Sequence, residues 1–165
     1  MKSERVKQEM EITFIDGAVP DRSDTVRALF REYEQWLGVS LCFQGFDKEL
    51  AELPGAYAPP RGRLYIIEKE GDVAGCIALR PMKENNACEM KRLYLRDNFR
   101  GQGLGRAMAE RIITDARSIG YSLMKLDTLG QMTAARGLYR SLGFREVPAY
   151  YDNPLPNVVY MELAL

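Results

Sequence analysis

Residues 98–108 read NFRGQGLGRAM: Gly101, Gly103 and Gly105 stand at alternate positions between Arg100 and Arg106, and the run leads straight into a helix-forming stretch. Glycine has no Cβ and reaches left-handed conformations, so successive backbone N–H groups here can point into one concavity. The helix that follows adds its partial positive end at the same place. With an arginine on each side, the natural guest is a phosphate or pyrophosphate. The competing reading is a tight turn that lets a helix pack closely. A Walker loop would end in Gly-Lys-Ser/Thr, and a dinucleotide fingerprint would need a glycine where Arg106 stands.

Outward from the loop, the spacing predicts a sheet before it and a helix–strand–helix–strand run after it. MEITFID from Met10 alternates apolar and polar residues as a half-buried strand does, and residues 1–9 read as a polar extension of the domain at 10–165. Ser23 is placed to cap a helix carrying Val26, Leu29, Phe30, Tyr33 and Leu37, with a short helix in FDKELAELP after it. RLYIIEKEGDVAGCIALRP supplies two strands and ACEMKRLYL another. Leu104, Met108, Ile112, Ala116 and Ile119 form an apolar stripe at helical period, LMKLDT is a strand, MTAARGLYRSL a helix, and the tail holds two strands around DNPLPN.

Composition narrows the function. The 165 residues suit one domain, and 23 basic residues balance 23 acidic ones, so no bulk field draws in nucleic acid or an anionic membrane. No apolar run approaches the roughly 18 residues of a membrane span, and the opening MKSERVKQEM is charged where a secretory signal turns apolar, so a cytoplasmic protein is expected. Cys42, Cys76 and Cys88 lack paired metal-ligand spacing, and no metal is expected. With no histidine in the chain, proton transfer falls to carboxylate, Tyr, Lys, Cys or water.

Arg100-Gly101-Gln102-Gly103-Leu104-Gly105 resembles the R/Q-x-x-G-x-G/A signature of the GNAT N-acetyltransferase superfamily, whose loop binds the pyrophosphate of acetyl-CoA. EMKRLYLRDNFRGQGLG is similar to that family's fourth strand and loop, and AARGLYRSLGF to its later helix, so the likeness covers about residues 63–147. Met132 departs from the pattern, standing where many members have Asn. The resemblance implies an α/β single-domain acyl-CoA N-acyltransferase fold. Its central mixed, largely antiparallel sheet has about six or seven strands, helices on both faces, and a splay between strands 4 and 5.

It also implies an enzyme that moves an acetyl group from acetyl-CoA to a primary amine by direct attack in a ternary complex; a non-catalytic acyl-CoA-binding sensor is the other class. Leu93, Tyr94 and Leu95 are then expected to pair with the pantetheine arm, and Arg100 to Arg106 to hold the phosphates. Glu89 is the candidate base, at an even offset from Leu95 that places both side chains on one face, unless it simply pairs with Lys91 or meets water. Asp127 suits capping the next helix better. Tyr139 is the candidate proton donor to the departing thiolate. Tyr150, Tyr151 and Asp152 are placed to surround the acceptor amine, with Phe43 and Phe46 as an apolar wall. Asp47, Glu49 and Glu52 read as a solvated helix face, and Arg136 and Arg140 as solvated charges. The acceptor is a small-molecule or protein amine, and exposed sheet edges make a homodimer possible.

Overall fold

A computed structural model describes residues 11–84 and 86–165; the polar extension 1–9 and the strand start at Met10 lie outside them. Seven strands form one sheet in the order β1-β2-β3-β4-β5-β7-β6. They are β1 (Ile12–Asp16), β2 (Arg63–Lys69), β3 (Asp72–Pro81), β4 (Ala87–Leu95), β5 (Leu123–Leu129), β6 (Arg145–Val147) and β7 (Val158–Ala164). Every neighbouring pair is antiparallel except β4 and β5, which run parallel. The helices are α1 (Ser23–Leu37), α2 (Phe46–Ala51), α3 (Leu104–Ile119) and α4 (Thr133–Ser141). Ser23 opens α1 rather than capping it, since Arg22 occupies the cap position without a side-chain bond.

Helices cover both faces, which is why the central strands are apolar on both. One core joins Ile67, Ile77, Leu79 and Met90 to the stripe Leu104, Met108, Ile112 and Ala116 of α3. The other joins Leu64, Ile66, Cys76 and Tyr94 to Val26, Leu29 and Phe30 of α1 and to Phe46 and Leu50 of α2. Each of these packing groups buries side chains at close to zero exposure, so helix position relative to the sheet is fixed from both sides.

Gly75 sits in β3 opposite Leu95 of β4. A Cβ added there would lie 2.0 Å from the Tyr94 carbonyl oxygen, and backbone cannot yield as a side-chain end can. Gly75→Ala is expected to lower unfolding stability by about 3 kcal/mol. Urea titration of the two proteins measures it, and an unchanged midpoint would contradict the close approach.

Candidate active site

The site begins with a mismatch between β3 and β4. Cys76 lies opposite Tyr94 and Ala78 opposite Lys91, so β4 spends one residue more than β3 over the same length. Within that stretch Arg92 takes a left-handed φ of 59°, the mark of a bulge. On its other edge β4 pairs with β5 only at Ala87–Leu123, Cys88–Met124 and Glu89–Lys125. Beyond Glu89 the two strands part, leaving facing edges without a ladder partner and opening a cavity of about 300 Å³ between them. Its walls come from β4, β5, α1, α4 and the glycine loop.

The bulge reverses the alternation of side chains along β4. Cys88, Met90, Leu93 and Leu95 pack on the α3 side, while Tyr94 packs on the α1 side. Glu89 and Leu95 therefore do not share a face, because an extra residue inserted between them cancels the even offset. Glu89 is 2% exposed, accepts 2.8 Å and 2.6 Å hydrogen bonds from Arg80 Nε and the Tyr150 hydroxyl, and is not part of the cavity wall. Against its desolvation, Lys91 and Arg80 together hold this carboxyl below its usual range.

Arg92 is buried under the bulge. Its Nε and Nη2 donate to Glu49 Oε2 and Oε1, at 3.0 Å each, and its face meets the rings of Phe46 at 5.3 Å and Tyr33 at 5.8 Å. Glu49 thus leaves the solvated face assigned to it, because α2 turns that side toward β4. Phe46 belongs to this packing and to the core, and neither it nor Phe43 lines the cavity.

Besides Arg92 and Tyr33, the deeper titratable groups that face the cavity are Lys91, Asp127 and Tyr139. The Lys91 side chain is 4% exposed; its Nζ donates to Gln44 Oε1 at 3.3 Å and lies 3.9 Å from both Glu89 Oε1 and Asp127 Oδ1. Burial pulls its pKa down, opposed by the pull of Glu89 upward. Asp127 does not cap α4, whose first turn has no side-chain cap. Its Oδ2 accepts from the Tyr151 hydroxyl and, at 3.5 Å, from Asn153 Nδ2. Tyr139 is 7% exposed, and among the described residues its hydroxyl has no hydrogen-bond partner. Burial, with Tyr33 and Asp127 adding to it, pushes this phenol well above its ordinary value, so it holds its proton at neutral pH.

At the mouth, Gly103 stands before α3 at φ 80°, and no side chain caps the helix, so its first-turn N–H groups are open to an anion. Gly101, Gly103, Leu104, Gly105 and Arg100 line the cavity along with Leu93 and Leu95. Arg100 stacks over Trp36 at 4.6 Å, donates from Nε to the Leu95 carbonyl at 2.9 Å and pairs with Asp97. Tyr94, Gln102 and Arg106 stand outside the wall: Tyr94 packs against Tyr33 and Trp36, Gln102 bonds Lys69 and the Asn98 carbonyl, and Arg106 bonds Ser141 and Glu110. Tyr150 and Tyr151 reach the site's two carboxylates, Glu89 and Asp127, whereas Asp152 is exposed. Arg136 is only half-buried solvent charge: it donates to the Gly130 carbonyl at 2.9 Å and joins exposed Arg140 on Glu146.

The strand splay thus opens onto an uncapped helix start. The sequence profile of the acetyltransferase (GNAT) family matches residues 24–144. The chain belongs to this family. As a GNAT N-acyltransferase it resembles an uncharacterized N-acetyltransferase of Schizosaccharomyces pombe at 43% identity, over 89% of this chain and 91% of that one. It is 32% identical to the N-acetylaspartate synthetase of Danio rerio, over 67% of this chain and 39% of the zebrafish protein. Its fold matches a GNAT acetyltransferase of Elizabethkingia anophelis crystallised with acetyl-CoA, with a TM-score of 0.63, 19% identity and coverage of 96% of this chain and all of the other. GNAT enzymes use acetyl-CoA and act on amines. Among the described residues no helix is long and apolar enough to cross a membrane.

Sequence reasoning passed over Arg92 and Gln44, gave Lys91 only as a partner for Glu89, and left Glu49 on a solvated face. The one available signal was the adjacent pair Lys91-Arg92 in a central strand, which asks for buried partners. Glu49→Gln removes the carboxylate under a buried guanidinium and is expected to cost about 3 kcal/mol in stability. Thermal and urea unfolding measure this; a loss below that of an ordinary surface change would mean the pair does not hold the bulge.

Proposed function

We propose that the chain acetylates a primary amine by direct attack on the thioester of acetyl-CoA within a ternary complex. One observation carries this reading: a neutral, unpartnered phenol and an ionisable carboxylate, Tyr139 and Asp127, face the same cavity whose mouth is the open start of α3. The strand edge at Leu93 and Leu95 would pair with the amides of the pantetheine arm, and the N–H groups from Gly101 to Gly105 would take the diphosphate.

The division of labour follows from the surroundings of each group. Asp127 accepts the proton that the acceptor ammonium must lose before its nitrogen lone pair attacks the carbonyl carbon. As the carbon–sulfur bond breaks, Tyr139 gives its proton to the sulfur, its raised pKa having kept that proton in place until then, and the second proton that the nitrogen sheds on becoming an amide restores the Tyr139 phenol. Glu89, with its oxygens occupied by Arg80 and Tyr150, positions Lys91 and Tyr150 instead. For the acceptor, the zebrafish relative's name supports an amino compound of metabolite size over a protein.

Tyr139→Phe is expected to lower kcat by roughly 10²- to 10⁴-fold while acetyl-CoA affinity stays as it was. Stopped-flow thiol release with calorimetry separates the two, and unchanged turnover would remove Tyr139 from the chemistry. Asp127→Asn should leave amine deprotonation to water, so its rate keeps rising with pH where the parent has levelled off. Glu89→Gln should keep the parent's profile shape, and the reverse ordering of these two variants would return the base role to Glu89.

A further inference from the structure

The acceptor end of the cavity carries a charge pair with unused capacity on each side. An ammonium has three protons to donate, and Lys91 spends one on Gln44 Oε1 at 3.3 Å. Its neighbours Glu89 and Asp127 lie at 3.9 Å, beyond hydrogen-bond reach. Glu89 is held in place by the bonds that its two oxygens accept from Arg80 and Tyr150. Asp127 uses Oδ2 for Tyr151 and Asn153 and keeps Oδ1, the oxygen nearer Lys91, without a hydrogen bond. A side chain 4% exposed that still has protons to give, aimed into a cavity, is costly unless something arrives to take them.

The other charges on the wall are already committed. Arg92 is matched by Glu49 and Arg100 by Asp97 at the glycine loop, so Lys91 and Asp127 are the pair that an acceptor meets. They lie side by side, and the ligand charges that complement them must also be close together. A polyamine brings only positive charge, and Lys91 would repel it across a poorly solvated space. A carboxylate and an ammonium on the same or adjacent carbon atoms match the pair in sign and spacing.

We propose that the acceptor is a small zwitterionic amino acid whose carboxylate docks on Lys91 while its amine rests on Asp127. Lys91 is then the residue that sets acceptor class. This rests on the acetyl-transfer reading above and deepens it.

Thiol release from acetyl-CoA, followed with the standard amino acids and with the amines left when their carboxylate is replaced by hydrogen, tests it. Phenylalanine is set against phenethylamine, leucine against isopentylamine and lysine against cadaverine, with putrescine, spermidine and a lysine-bearing peptide alongside. The expected result is a kcat/KM for at least one amino acid on the order of 10² above that of its decarboxylated amine. Lys91→Met should bring that ratio near unity, and Lys91→Arg, which keeps the charge, should preserve a preference for the carboxylate. The wild-type ratio needs no variant, so it decides even where Lys91→Met fails to fold. Equal use of an amino acid and its amine, turnover of the polyamines or the peptide in place of amino acids, or a Lys91→Met protein with the wild-type ratio overturns the proposal and leaves acetyl transfer standing. No thiol release with any amine, from protein that binds acetyl-CoA, takes down both.

Discussion

The extra residue in β4 is the constraint on which the site depends. A non-glycine residue at φ 59° costs on the order of 1 kcal/mol, and it persists here because its own side chain is clamped from below. The two Glu49 bonds and the rings of Phe46 and Tyr33 hold the Arg92 guanidinium, so α1, α2 and β4 fix one another. Three consequences follow. The side-chain pattern of β4 changes face, the ladder to β5 ends early, and the strand edge past Glu89 is left for something other than a strand. Cavity and bulge are one feature seen from two sides.

Around that cavity, burial sorts the titratable groups into different roles. Tyr139 is buried with no cation beside it, and burial, with Tyr33 and Asp127 adding to it, moves its pKa further above neutral pH. Glu89 is as deeply buried, yet Lys91 and Arg80 outweigh its desolvation and keep it ionised. An ionised carboxylate saturated with donors is a weak proton acceptor, whereas Asp127 retains a free oxygen toward the cavity. In the proposed reaction, proton donor and proton acceptor are thus separated by environment rather than by residue type.

The parts that were legible in the sequence are the ones carried by local pattern. The stripe from Leu104 to Ala116, the strand alternations and the glycine run each state their structure within a few residues, and the seven-stranded sheet with its one parallel pair follows the expected plan. The bulge was not legible, since nothing in ACEMKRLYL distinguishes a residue at left-handed φ from its neighbours. That single miss carried Glu89 to the wrong face relative to Leu95. It also hid Glu49, whose helix looks amphipathic only if the charge facing β4 is known to meet a buried arginine.

Donor and acceptor ends of the site differ in how they are built, and this explains why one was legible and the other was not. The donor end is backbone: an uncapped helix start, glycines and an unpaired strand edge, all encoded in one stretch from Leu93 to Gly105. The acceptor end is side chains from distant places, Gln44 before α2, Lys91 in β4, Asp127 in β5, and Tyr151 and Asn153 before β7, joined by hydrogen bonds. Backbone recognition tolerates sequence change and suits a shared co-substrate. Side-chain recognition changes with each substitution, so under the proposed reading the network around Lys91 and Asp127, rather than the fold, carries this chain's choice of amine.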